Sequence, residues 1–194
     1  ASKVGAKIVQ LSTDDVFDGI ANHPYSEFDD TNPQTVYGRS KRAGENYVKE
    51  FTHKHFIIRS SWVYGNGDNF VNRVLKAAEK RDPFAVPAGE IGAPTSAKDL
   101  ARIILHLIET NEYGTYHVTC KGSCSRYELA KEVLKLAGKT LQLTEASSVA
   151  LEQPAVRPAY AVLDNFILRI IDVYDMPHWR DSLKEYIEER MARG

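Results

Sequence analysis

The order of apolar runs and helical patterns in the first 82 residues constrains the fold most. KIVQLST, a mostly apolar run ending at Thr13, reads as a buried parallel strand. A loop full of breakers follows from Asp14 to Pro33. Thr35 to Phe51 reads as a helix, with Pro33 near its start and Val36, Ala43, Tyr47 and Phe51 among its inward candidates. HFIIRSSWVYG is a second strand running into the Gly/Asn loop GNGDN, and Phe70 to Lys80 is a second helix. Strand, helix, strand, helix in this order calls for a parallel α/β sheet with right-handed crossovers. ASKVGA, ahead of the first strand, looks like the last turn of a helix closed by Gly5.

From Pro83 to Thr95 the chain turns irregular, with three prolines and two glycines, and this is the candidate junction between residues 1–82 and 83–194. Beyond it, KDLARIILHLIE places Leu100, Ile103, Ile104, Leu107 and Ile108 on one helical stripe. YHVTC is a short strand, and Ser125 with Glu128 forms a capping box for a helix that runs to Leu136 and ends at Gly138. LQLTEA supplies another strand. An amphipathic helix with Trp179, Leu183, Tyr186 and Ile187 on its apolar side closes the chain. Residues 83–194 thus read mainly as a small α+β cap on an α/β half, and the seam between two such units is a favoured place for a ligand pocket.

Charge narrows the partners. With a net charge of -1, no global basic field draws the chain to nucleic acid or to an anionic membrane. An anionic ligand would have to be held by a few placed groups. No apolar run approaches the roughly 18 residues that span a bilayer, and the start lacks the apolar core of a secretory signal. Cys120 and Cys124 could bridge on spacing alone, but they read as two ordinary thiols, and the six histidines are scattered without zinc spacing. These features point to a cytoplasmic protein without a structural metal.

Chemistry concentrates in Tyr37-Gly-Arg-Ser-Lys41. Four residues of helix bring Tyr37 and Lys41 onto one face. An ammonium near a phenol stabilises the phenolate, which lets a tyrosine give a proton to a carbonyl oxygen and reclaim it in reverse. Such pairs usually decorate helix surfaces, so the spacing carries little weight by itself. Thr13 changes the balance: it ends an apolar strand, where open α/β sheets bind their ligands, and its hydroxyl can orient the same carbonyl.

With LSTDDVFDG at 11–19, PYSEFDDTNPQTVYGRSKRAGE at 24–45 and RSSWVYGNGDNF at 59–70, the chain resembles the extended short-chain dehydrogenase/reductases. Within them it is most similar to the dTDP-4-dehydrorhamnose reductases. GAPTSAKDLA at 92–101, the segment 113–138, RPAYAVLDN at 157–165 and MPHWRDSLKEYI at 176–187 continue the likeness over essentially the whole chain. The resemblance implies the C-terminal part of a Rossmann-like parallel sheet with a small α+β substrate subdomain. It also implies NADPH- or NADH-dependent reduction of the C4 ketone of a dTDP-linked 4-dehydro-6-deoxysugar to dTDP-L-rhamnose. Thr13 then matches the carbonyl-orienting hydroxyl, Tyr37 the proton donor, and Lys41 the group that tunes Tyr37 and holds the nicotinamide ribose. Ser60 is expected beside the cofactor, Trp62 beside the deoxysugar, and Arg157 at a pyrophosphate or in a surface ion pair.

Three departures qualify the match. Asp15 stands where the family usually has an aromatic residue, and Gly89-Glu90-Ile91 replaces a segment that usually reads Asp-Gln-Phe. The sequence also holds no G-x-G-x-x-G turn for a cofactor pyrophosphate; GNGDNF at 65–70 follows the wrong strand and lacks the spacing. The expectation is that roughly the first third of a usual member is cut away, disordered or carried by another chain, and that the 194 residues alone turn over little. A homodimer is a further expected association. Two other readings stand beside the reductase: a non-catalytic subunit of the same fold, and a related sugar-nucleotide epimerase or dehydratase.

Overall fold

The computed structural model describes residues 1–147, 158–173 and 175–193. Ser2–Val4 forms a 3₁₀ turn closed by Gly5 at φ 65°, a left-handed position that suits glycine. In chain order there follow β1 (Ile8–Thr13), α1 (Val36–Phe51), β2 (His55–Ser60), β3 (Val63–Tyr64) and α2 (Phe70–Lys80). Next come β4 (Phe84–Pro87), β5 (Ile91–Gly92), β6 (Thr95–Ser96), α3 (Ala97–Glu109), β7 (Gly114–His117) and β8 (Cys124–Ser125). The last elements are α4 (Arg126–Leu136), β9 (Leu143–Ala146), β10 (Tyr160–Ala161), α5 (Phe166–Ile170) and α6 (Trp179–Arg193).

The main sheet has the order β1-β2-β7 and is parallel throughout, as the alternation of elements requires. Its central strand explains the apolar run in HFIIRS: Phe56, Ile57 and Ile58 are fully buried, because a middle parallel strand is covered on both faces. The large core joins Phe56 and Ile58 to Val74 and Leu75 of α2, to α3, and to the inward faces of α4 and α6. The expected α3 stripe is the one that packs, with Leu100, Ile103 and Leu107 buried. On α6, Trp179, Leu183 and Ile187 are buried likewise. Each such side chain contributes about 1.5–3 kcal/mol. The capping box of Ser125 and Glu128 is formed at the start of α4. Cys120 and Cys124 are buried free thiols. Among the described residues no helix is long and apolar enough to cross a membrane.

Three expectations fail. β1 is not buried: it is the edge strand of the described sheet, Thr13 is its one buried residue, and Val9 and Leu11 are 38% and 49% exposed. The apolar side chains of α1 do not face inward: Val36, Tyr47 and Phe51 are 75%, 63% and 66% exposed, and Ala43 is exposed too. The buried positions of α1 are Gly38 and Glu45. Glu45 is drawn inward by a buried arginine on β2, and Gly38 lets the helix touch the turn after β1. HFIIRSSWVYG is not one strand either. It breaks after Ser60, passes through Trp62 at φ 46°, and resumes as β3, which pairs with β6 outside the main sheet. The left-handed residue turns the chain from one sheet to another.

Candidate active site

Thr13 ends β1 and lies opposite Ser60, the last residue of β2. It is almost fully buried and caps the 3₁₀ turn Asp14–Val16, accepting at Oγ1 the backbone N–H of Asp15 at 3.2 Å. Its own proton goes to Asp14 Oδ1 at 2.8 Å. Thr35 caps α1, taking the Gly38 N–H at 2.8 Å, so that Tyr37 falls in the first turn. A Cβ on Gly38 would stand 2.1 Å from the Asp15 carbonyl oxygen. Only glycine lets α1 approach the end of β1 so closely at this point.

Tyr37 is half exposed, and Lys41 Nζ lies 5.7 Å from its ring centroid. The same ammonium donates to the Leu11 carbonyl at 3.3 Å. Thus the helix that carries the pair is tied to the strand that presents Thr13. The structure brings Thr13, Tyr37 and Lys41 to one edge of the sheet. Ser60 is also there, but its hydroxyl donates to the Val118 carbonyl at 2.8 Å. Arg157 lies outside the described residues.

Trp62 is held on both faces. A Cβ built on Gly92 would stand 2.5 Å from its Cε2 and 2.8 Å from both Cδ2 and Cζ2, which is above the ring rather than beyond its edge. The Arg126 guanidinium carbon lies 3.6 Å from the ring centroid. Two groups at those heights cannot share one face, so the indole sits between them. Arg126 is itself buried, donates from Nε to Glu90 Oε2 at 3.0 Å, and lies 4.9 Å from the Phe70 ring centroid. A guanidinium on an indole is a favourable cation–π pair.

Three groups near the site escaped the sequence reading. Asp14 entered it only as the first residue of the loop after β1, yet it is buried between Thr13 and Ser61, whose Oγ donates to Asp14 Oδ2 at 2.7 Å. Burial, with the neighbouring Asp15 charge, pushes the Asp14 carboxyl up to about 6, against the pull of the two hydroxyls and of Arg126. Arg126 carried no motif, although its ion-pair partner Glu90 stood out as a departure. Glu45 and Arg59 form a buried pair beneath the site, and here a signal existed: Arg59 interrupts an otherwise apolar strand. His117, 3.4 Å from Arg59 through Nε2, falls to about 3 because burial and the Arg59 charge both oppose its protonation.

Residues 1–192 match the RmlD substrate binding domain family. The spore coat polysaccharide biosynthesis protein SpsK of Bacillus subtilis (strain 168) is 39% identical over 193 residues, which cover 99% of this chain and 68% of that protein. A dTDP-4-dehydrorhamnose reductase of Clostridium acetobutylicum has a crystal structure that superposes with a TM-score of 0.93 at 44% identity, covering 97% of this chain and 68% of its own. The Bacillus anthracis dTDP-4-dehydrorhamnose reductase, solved in complex with NADP, gives a TM-score of 0.93 at 40% identity, with 96% and 67% covered. The chain therefore spans about two thirds of the length of these relatives. It belongs to the RmlD substrate binding domain family.

Proposed function

We propose that this chain supplies the substrate side and the proton-handling residues for NAD(P)H-dependent reduction of the C4 ketone of dTDP-4-dehydrorhamnose, giving dTDP-L-rhamnose. The observation that carries the reading is the meeting of Thr13, Tyr37 and Lys41 at the end of β1, with Lys41 Nζ 5.7 Å from the Tyr37 ring. When bound, the reduced nicotinamide supplies hydride. Lys41 and the Tyr37 hydroxyl suit the diol of its ribose, and Ser60 lines the same edge. Tyr37 gives its proton to the ketone oxygen, and the nearby ammonium favours the phenolate that remains. Thr13 orients that oxygen. Trp62, with both faces covered, meets the sugar along its edge.

The division at residues 82 and 83 belongs to the same proposal: the first part carries the proton chemistry and the second mainly shapes the sugar site. The sequence has no Gly-rich turn for a pyrophosphate, so the 194 residues by themselves bind dinucleotide weakly. The test is NADPH and NADH oxidation with dTDP-4-dehydrorhamnose. It uses this chain and a fusion of it to the N-terminal portion of the Clostridium acetobutylicum relative. Turnover by the fusion, lost in Tyr37→Phe, supports the reading. A fusion that binds cofactor and sugar nucleotide without turnover would favour the non-catalytic alternative.

A further inference from the structure

The Thr13 hydroxyl has one proton, and the hydrogen bonds around it fix where that proton goes. Asp14 accepts from Thr13 at Oδ1 and from Ser61 at Oδ2, at 2.8 and 2.7 Å. An ionised carboxylate is an acceptor only. Both hydroxyls must therefore point at it, and Thr13, which also accepts the Asp15 N–H at 3.2 Å, is left presenting one lone pair to whatever lies outside. A ketone oxygen also presents only lone pairs. With Asp14 ionised, the Thr13 hydroxyl and the ketone oxygen of the proposed reaction are mismatched. A protonated Asp14 reverses the pattern, since its O–H can donate to Thr13 Oγ1 while its other oxygen still accepts from Ser61.

We propose that Asp14 is a positioning residue that sets the direction of the Thr13 hydrogen bond: protonated, it frees Thr13 to donate to a ketone; ionised, it leaves Thr13 to accept from an alcohol. The proposal rests on the reductase reading above and deepens it. No proton leaves Asp14 during the reaction; the carboxyl acts only by orienting its neighbour.

The surroundings make the protonated form accessible. Asp14 is buried, and burial together with Asp15 raises its carboxyl to about 6. The charged and polar groups that face it are Asp15 on its own turn, Thr13 at the end of β1, Ser61 after β2, and Arg126 at the start of α4. Asp15 is held in turn by Thr35, whose Oγ1 lies 3.4 Å from its Oδ2. Arg126 is stacked on Trp62 and paired with Glu90, so its pull on Asp14 is partly offset.

Two measurements on the full chain test this. The first follows the Asp14 carboxyl by ¹³C NMR during a pH titration, in the parent chain and in Thr13→Val. Loss of a donor to the ionised form should move the Asp14 titration upward in Thr13→Val. An unmoved titration overturns the proposal whether or not the chain reduces anything. The second measures binding of dTDP-4-dehydrorhamnose and of dTDP-L-rhamnose against pH by calorimetry. Ketone affinity should weaken by up to about tenfold per pH unit above the Asp14 midpoint, as the competent fraction shrinks, while alcohol affinity should not. In Asp14→Asn the side-chain amide can donate to Thr13 and accept from Ser61 at every pH, so the ketone's pH dependence should disappear. Persistence of that dependence in Asp14→Asn overturns the proposal. A coupled Asp14 titration with neither sugar nucleotide bound establishes the hydroxyl's direction and sinks the reductase reading instead.

Discussion

Glu45 and Arg59 close on each other through two parallel hydrogen bonds, Nε to Oε1 and Nη2 to Oε2, both 2.8 Å long, with 0% and 3% of their side chains exposed. Ser12 donates to Glu45 Oε1 at 2.6 Å, and Arg42 reaches Oε2 at 3.2 Å. Glu45 lies one helical turn beyond Lys41, and Ser12 immediately precedes Thr13. The pair therefore locks the helix of Tyr37 and Lys41 against the strand of Thr13. A bidentate fork fixes orientation as well as distance, which a point charge would not.

Removing one partner should cost more than the pair contributes, because it strands a buried charge. Glu45→Gln is expected to lose about 3–5 kcal/mol of unfolding free energy, read from urea denaturation at neutral pH. Burial alone would raise the Glu45 carboxyl, but Arg59, Ser12 and Arg42 together hold it below its ordinary 4.5. Its contribution is thus present above 4.5 and disappears as pH falls through the lower folded value. Acid unfolding should accordingly be less steep in Glu45→Gln than in the parent chain. Equal slopes would remove Glu45 from the account.

What the sequence made legible was local. The α3 stripe and the α4 capping box depend on spacing within one helix, and both appear where periodicity placed them. Tyr37 and Lys41 share a helix face for the same reason. The interior of α1 was not legible, because a helix whose buried residues are Gly38 and Glu45 reverses the usual apolar rule. Glu45 needs Arg59, fourteen residues away on another element, and Asp14 needs Ser61, forty-seven residues away. Such partners meet only once the strands are in register. The break at Trp62 was hidden as well, since a left-handed tryptophan carries no local turn signal and its indole packs against Arg126 and Gly92, which lie far along the chain.

Gly38→Ala tests the approach of α1 to the turn after β1. Alanine favours a helix interior by up to about 1 kcal/mol over glycine, so an open site would be stabilised. Here the added carbon would meet the Asp15 carbonyl oxygen at 2.1 Å, and backbone cannot rotate away as a side chain could. The expected outcome is net destabilisation of about 1–3 kcal/mol in thermal or urea unfolding, with displacement of Tyr37 from Thr13. A more stable Gly38→Ala chain would contradict the packing.

Arg126→Ala should uncover one face of Trp62 and leave Glu90 without its buried ion-pair partner. The chain should lose several kcal/mol, roughly 3–5, and its tryptophan emission should shift to longer wavelength as water reaches the indole. The double variant Arg126→Met with Glu90→Gln removes both charges at similar volume and should recover much of that loss. Trp179, fully buried elsewhere, provides the unshifted component of the emission. Recovery of stability without recovery of the emission would separate the ion pair from the stacking.

Two buried groups give the chain opposing responses to pH, and Asp14→Asn tells them apart. Asp14 rises from 3.8 to about 6 on folding, so its contribution is present below 3.8 and is lost as pH rises through about 6. The gap corresponds to a penalty on the order of 3 kcal/mol for keeping Asp14 ionised at neutral pH. His117 falls from 6.5 to about 3, so the stability linked to its neutral form is present above 6.5 and is lost as pH falls toward 3. An asparagine at position 14 keeps an acceptor for Ser61 and gains a donor for Thr13, without a charge to bury. Asp14→Asn should therefore be the more stable chain above pH 6, and the advantage should vanish below about 4, where aspartic acid is protonated in both states. The acid limb set by His117 should be unchanged between the two. Melting temperatures across this pH range check the prediction, and an Asp14→Asn chain no more stable than the parent at pH 8 would mean that Asp14 carries no burial penalty to relieve.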